Sequence, residues 1–223
     1  MRIGVLGATG PAGAALAARL ASVGIEVVIG SRSKYRAMEV RDVILSRWPD
    51  HDLAVEAAEN DVAATGDVVV IATPWDAAPP TAAAVSDQLK GKVVISMANA
   101  LAKVGHEFQP LVPPRGSVAA SVQAAVPASF VAAAFHHIPA HELGQIDVPV
   151  ESDVLVCSDH PIATQTTSEI VDRIPGLRPL DAGELSNAAP VEAFAAVLLQ
   201  LNIRYKTRAA VKLTGIVTDD SSA

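Results

Sequence analysis

The chain has 223 residues; half are hydrophobic and only 18% are charged, which rules out a disordered chain and supports one substantial core. Its formal net charge of −7 argues against a nucleic-acid partner but permits a local basic pocket for an anionic cofactor. The single cysteine, Cys157, excludes an intrachain disulfide and fits a reducing cytoplasm; a small buried hydrophobe is its expected role. No secretory leader is expected, because the chain runs straight into a strand and a glycine turn. No stretch of about 18 uncharged apolar residues is present, so neither a membrane span nor a membrane partner is expected.

In chain order, residues 3–6 read as a buried strand, 11–23 as an alanine-rich helix with Pro11 in its first turn, and 25–29 as a second strand. Residues 34–48 read as a helix ended by Pro49, and 53–55 as a short strand. The run DVVVIA at 67–72 is a strong buried strand, 76–89 a helix with Pro79 and Pro80 near its start, and 92–97 another strand. Continuous Val/Ile runs mark strands covered on both faces. Their alternation with helices implies an α/β protein: a Rossmann-type, doubly wound, mainly parallel sheet with right-handed crossovers.

After about residue 125 the pattern changes. Residues 132–136 and 154–157 read as strands, 161–174 as a helix, and a long apolar helix runs from Leu185 towards 210. This is a small C-terminal α/β extension ending in a long helix; the Pro-rich stretch 110–114 is a loop. The expected organisation is a nucleotide-binding domain over 1–125, a substrate-pocket and dimerisation region over 126–217, and a frayed tail over 218–223.

The turn Gly7-Ala8-Thr9-Gly10-Pro11-Ala12-Gly13 sits between the first strand and the first helix. A dinucleotide site needs this placement: glycines let the backbone approach a pyrophosphate, and the helix N-terminus offers free N–H groups. The spacing GxxGxxG departs from the common GxGxxG, and its context rather than its pattern carries the reading.

An NAD site ends its second strand with Asp or Glu. Here that strand ends Gly30-Ser31-Arg32-Ser33, with Arg36 one turn further and Tyr35 beside it. Gly30 is expected to leave space, the serines to offer hydroxyls and the arginines to hold a 2′-phosphate by charge-assisted bonds of about 1.5–3 kcal/mol each. The cofactor expected is therefore NADP(H). Thr73 and Pro74 follow the strongest strand, and Met97, Ala98 and Asn99 follow the next; all face the ligand crevice of such a fold. Thr73, Pro74, Met97 and Ala98 are expected near the ribose and nicotinamide. Trp75 is read equally as crevice or core.

Residues 135–142 read Phe-His-His-Ile-Pro-Ala-His-Glu. A metal site of His136, His141 and Glu142 is disfavoured by the spacing and by Pro139, and no metal is expected. His136 is the candidate acid or base, since histidine titrates near neutrality. Alternatively His136 and Ile138 wall a pocket for a second planar substrate, or the histidines are structural. No Ser-His-Asp set, CxxC or Tyr-x-x-x-Lys pair is visible, and no catalytic residue is certain. Hydride transfer between two stacked rings needs none.

GATGPAG at 7–13, GSRS at 30–33, ATPW at 72–75, FHHIPA at 135–140 and GLRPLDAGELSNA at 176–188 together resemble the NADPH-dependent reductases of the deazaflavin coenzyme F-420. The resemblance spans nearly the whole chain; residues 100–123 and those after Tyr205 match loosely. It implies a homodimer that transfers hydride directly between NADP(H) and coenzyme F-420, its small-molecule redox substrate. By resemblance, Thr9, Gly10, Pro11 and Ala12 hold the pyrophosphate, Ser31, Arg32 and Arg36 the 2′-phosphate, Thr73 and Ala98 lie near the nicotinamide, and His136 and Ile138 border the deazaflavin. Two alternatives stand beside it: an NADP-dependent reductase of another small carbonyl, imine or flavin-like substrate, and a non-catalytic NADP-binding sensor.

Overall fold

A computed structural model describes residues 1–216; the expected tail at 218–223 lies outside the described residues. The first half alternates as β1 (Arg2–Leu6), α1 (Pro11–Ser22), β2 (Glu26–Ser31), α2 (Lys34–Arg47), β3 (Val55–Glu59), α3 (Asn60–Ala63), β4 (Val68–Ile71), α4 (Ala78–Ala83), α5 (Ser86–Leu89) and β5 (Val93–Ser96). There follow β6 (Leu101–Val104), β7 (Glu107–Pro110), α6 (Val118–Ala125), β8 (Phe130–Ala133), α7 (Ala140–Leu143), β9 (Ser152–Ser158), α8 (Pro161–Asp172), β10 (Leu177–Asp181) and α9 (Ala188–Tyr205).

Eight strands form one sheet in the order β10-β9-β8-β5-β4-β1-β2-β3. Every neighbouring pair is parallel except β8 with β9, so the mainly parallel, doubly wound fold is as expected. The order reverses between β1 and β4, and the crevice at their carboxyl ends is where such sheets bind ligands. The Val/Ile runs are buried on both faces because helices cover both. Val68 and Val70 face one core with α1 and α8, while Val69 and Ile71 face the other with α4 and α6. Each such side chain contributes about 1.5–3 kcal/mol on burial.

Several boundaries differ from expectation. Residues 76–89 form two short helices because Val85, at φ −124 and ψ 24, leaves helical geometry between them. The strand expected at 132–136 is β8, ending at Ala133; Phe135 has φ 63 and turns the chain out of the sheet. β3 begins where the strand expected at 53–55 ends. The last helix is preceded by a 3-10 turn at Leu185–Asn187 and stops at Tyr205, where Lys206 adopts left-handed geometry. The antiparallel hairpin β6–β7 and the edge strand β10 were not anticipated; Pro179 disguises β10, and an edge position tolerates it.

Candidate functional site

The glycine turn leaves β1 and enters α1 at the reversal of strand order. Gly7 has φ +76, and a Cβ there would lie 2.3 Å from Thr73 Cγ2, so the turns after β1 and β4 touch. A Cβ on Gly13 would lie 2.7 Å from Ala8 Cα and 2.9 Å from Ala72 Cβ, which seats the start of α1 on the sheet end. A Cβ on Gly10 would meet nothing within 4 Å. Ala14 N–H donates to Gly10 O, and no side chain caps α1. The N–H groups of Ala12 and Gly13 therefore point out of the first turn without a helical acceptor, and Pro11 carries none.

At the tip of β2, Ser31 is buried and its Oγ accepts from Ser33 N–H at 3.2 Å. Arg32 and Arg36 are exposed and take part in no salt bridge among the described residues. No acidic residue lies in the first turn of α2, so its positive dipole end stands beside Lys34 and Arg36 uncompensated. Such a terminus attracts an anion. The space expected at Gly30 is filled: a Cβ there would meet Ala63 Cβ at 2.8 Å and Leu6 Cδ2 at 2.9 Å. Gly30 is small because α3 packs directly on β2, not because a ribose needs the room.

Ala12, Met97, His136 and Ile138 line one cavity of about 190 Å³ together with Ala195 and Leu198 of α9. A second cavity of about 290 Å³ adjoins it through Pro139, Ala140, Leu199 and Asn202, and opens past Phe108, His141 and Arg208. Thr73 follows β4 and touches the glycine turn, Ala98 follows β5 and is buried in the core around α4 and α6, and Pro74 is exposed; none of the three lines the first cavity. Trp75 packs on the core around α4 and α6, and faces a different cavity with Pro113 and Pro114. Glu184, Leu185, Ser186 and Ala189 likewise line a separate cavity of about 470 Å³ with Arg115 and Asp159, which does not include His136.

At the ends of β4 and β5 lie buried polar atoms without a hydrogen-bond partner, Thr73 Oγ1, Ser96 Oγ and Asn99 Oδ1, near the buried His136 ring, which the Ala134 main chain contacts. Buried polar atoms are rarely left so, and a cluster of them marks a place where a ligand or water completes the bonding. Burial, then the neighbouring His137, pushes the His136 pKa down to about 3, so its ring is neutral. A neutral ring with so low a pKa is a poor proton donor at neutral pH. His137 Nε2 sits 2.8 Å from the Asp153 carbonyl, which only accepts; this places the proton on Nε2. His141 bonds Glu142 at 3.1 Å on the surface, and no group of three His, Cys, Asp or Glu among the described residues could hold a metal.

Three buried charges that sequence reasoning missed hold this site in shape. Arg19, an arginine within an apolar helix face, donates to carbonyls of residues 142–148 and fastens the segment after His136 to α1. Glu192 of α9 accepts from Val118 N–H at 2.8 Å and Ala119 N–H at 3.1 Å, capping α6; burial raises its pKa to about 7. Burial pushes the Asp153 carboxyl up, but a bidentate bond with Arg178, at 2.9 and 2.8 Å, and Leu213 N–H outweigh it and hold its pKa below the ordinary value. A lone charge inside an apolar run was the only available signal for the first two. No helix among the described residues is long and apolar enough to cross a membrane.

A family model described as NADP oxidoreductase, coenzyme F420-dependent, matches residues 2–100. The F420-dependent NADP reductase of Methanocaldococcus jannaschii is 34% identical over 223 residues, spanning 97% of this chain and 99% of that protein. That of Methanothermobacter thermautotrophicus is 36% identical over 222 residues, spanning 97% and 96%. Among solved structures, a protein of Arthrobacter sp. fb24 assigned as an F420-dependent NADP-reductase has a TM-score of 0.80 at 25% identity, covering 96% of this chain and 99% of its own. Identity of 34–36% over nearly the full length of both chains places this one: it belongs to the F420-dependent NADP reductase family.

Proposed function

We propose that this protein transfers a hydride directly between NADP(H) and the deazaflavin coenzyme F-420. The observation that carries the reading is one cavity shared by Ala12, from the glycine turn, and His136 and Ile138, from the segment after β8. It sets a nucleotide-binding turn beside a wall suited to a second flat ring. A cavity of this size holds one ring, and the adjoining space extends it outward.

The residues fit NADP(H). Orphan N–H groups at Ala12 and Gly13, with Gly7, Thr9, Gly10 and Pro11, hold the pyrophosphate at the helix N-terminus. Ser31, Arg32, Ser33 and Arg36 hold the 2′-phosphate, at a strand tip without the carboxylate that would repel it. Thr73, Pro74, Met97 and Ala98 border the ribose and nicotinamide. The bound cofactor supplies or accepts the hydride at its nicotinamide C4. His136 and Ile138 face the second ring, and the neutral His136 ring excludes water rather than moving a proton.

Residues 126–217 complete the pocket and, in this reading, mediate a homodimer. Phe194, Val197 and Leu201 form an exposed apolar stripe along α9 at helical spacing, which a second copy would cover. A reducing compartment, the cytoplasm, suits a chain whose one cysteine, Cys157, is buried and unpaired.

The test is anaerobic mixing of the pure protein with NADPH and oxidised deazaflavin. Loss of the deazaflavin's visible absorbance, at a rate proportional to enzyme, is expected. Unchanged absorbance from a protein that binds NADP+ would remove this reading.

A further inference from the structure

Asn99 follows β5 and lines the same cavity as His136. Its Nδ2 donates to the His136 backbone carbonyl at 2.5 Å. A carbonyl only accepts, so this contact settles which end of the side-chain amide is which: nitrogen against His136 O, and Oδ1 turned the other way. That oxygen is buried and has no donor.

His136 contributes its ring to the same wall, and the Ala134 main chain is that ring's own hydrogen-bond partner. The wall therefore presents one fixed acceptor without a partner, the Asn99 side-chain oxygen. A hydrocarbon edge entering here would leave that oxygen without a donor, and sites built this way reject such edges strongly.

We infer that Asn99 is a specificity-determining residue: its Oδ1 accepts the N–H of an amide edge on the bound ring. This rests on the function proposed above. Two ligands of that reaction carry such an edge, the nicotinamide carboxamide and the pyrimidine side of the deazaflavin. The recognition chemistry is the same for both, and the two sources separate by experiment. The bond from Nδ2 to His136 O serves the recognition by fixing the orientation of the amide.

The experiment compares the wild type with Asn99→Leu, which keeps the branched shape, is somewhat larger and has no hydrogen-bonding groups. Dissociation constants are measured for NADP+ and for its 3-acetylpyridine analogue, which keeps the ring carbonyl and lacks the amide N–H. Steady-state kcat and KM for the deazaflavin are measured alongside. If the carboxamide is the source, the wild type binds NADP+ about tenfold more tightly than the analogue, and the variant binds both alike. If the deazaflavin is the source, the variant keeps its NADP+ affinity and its KM for deazaflavin rises about tenfold with kcat nearly unchanged. Far-UV circular dichroism checks folding, and Asn99→Ala replaces the leucine variant if that one does not fold. The inference is overturned if NADP+ and the analogue weaken in equal proportion in the variant, which is the signature of a purely structural role. It is equally overturned if no affinity or KM changes by more than about twofold. A wild type that binds NADP+ but reduces no deazaflavin would remove the proposed function, and the cofactor arm would still decide the role of Asn99.

Discussion

Arg19, in the middle of α1, donates through Nε to the Leu143 carbonyl at 2.9 Å, across 124 positions of sequence. Its other guanidinium N–H groups reach the carbonyls of Glu142, Gln145, Ile146 and Val148. The guanidinium is buried and bonds main-chain oxygens, while the Asp147 carboxylate nearby favours its charge without a salt bridge among the described residues. The helix that presents the nucleotide turn is thereby tied to the segment that follows His136.

Arg19→Leu strands those carbonyls without a donor. A loss of at least about 3 kcal/mol is expected, since hydrogen bonds to a charged group contribute about 1.5–3 kcal/mol each. For a chain of this size that lowers Tm by roughly 6–12 °C. Arg19→Lys should recover only part, because one ammonium cannot span the carbonyls a planar fork reaches. Thermal unfolding followed by circular dichroism checks both; an unchanged Tm in Arg19→Leu would contradict the account.

Gly7 and Gly10 should respond differently to alanine. At Gly7 the positive φ costs about 1–2 kcal/mol for any other residue. The new Cβ also meets Thr73 Cγ2 at 2.3 Å, so Gly7→Ala should lower Tm and weaken NADP+ binding at least about tenfold. Gly10→Ala meets nothing in the protein and should leave Tm within about 2 °C. Any loss of NADP+ affinity in that variant then measures how closely the pyrophosphate approaches the turn. Calorimetric titration beside thermal unfolding distinguishes the two sites.

Arg32 is exposed at the end of β2, unpaired among the described residues. Arg32→Ala should weaken NADP+ binding about tenfold or more, with NAD+ binding nearly unchanged, because only the 2′-phosphate loses a charge-assisted contact. Equal losses for both dinucleotides in a titration would contradict the phosphate role.

The sheet, the glycine turn and the segment around His136 were legible because each writes a local signal: β-branched runs, glycines at a strand end, a dense polar cluster. Where contacts are long-range, legibility ended. Gly30 read as an opening for ribose, yet α3 fills it, and nothing in residues 28–33 announces that neighbour. The β8 strand stopped short because Phe135 adopts a left-handed conformation that local propensity does not encode. Glu192 is one charge in an apolar helix; its partners, the Val118 and Ala119 amides, lie more than seventy positions away.

Stability should depend on pH through buried groups of opposite sign. Burial lowers His136 to about 3 and lowers His137 as well, so the folded protein binds fewer protons at these rings than the unfolded chain. Their contribution is present above about pH 6.5 and is lost as pH falls below it. Burial raises Glu192 to about 7, so its contribution is present in acid and is lost as pH climbs from about 4.5 towards 7. Glu192→Gln removes only the second effect and keeps an acceptor for α6. Its Tm relative to wild type should therefore rise between about pH 5 and pH 7.5. A constant difference across that range would show that the carboxyl titrates alike in both states.

The most direct measurement of the central claim uses NADPH carrying deuterium at the transferred C4 position, with oxidised deazaflavin, in ordinary water. Direct hydride transfer predicts reduced deazaflavin that retains the deuterium, read by mass spectrometry. Reduced deazaflavin that carries only solvent hydrogen, or none formed at all by a protein with NADPH bound, would contradict it.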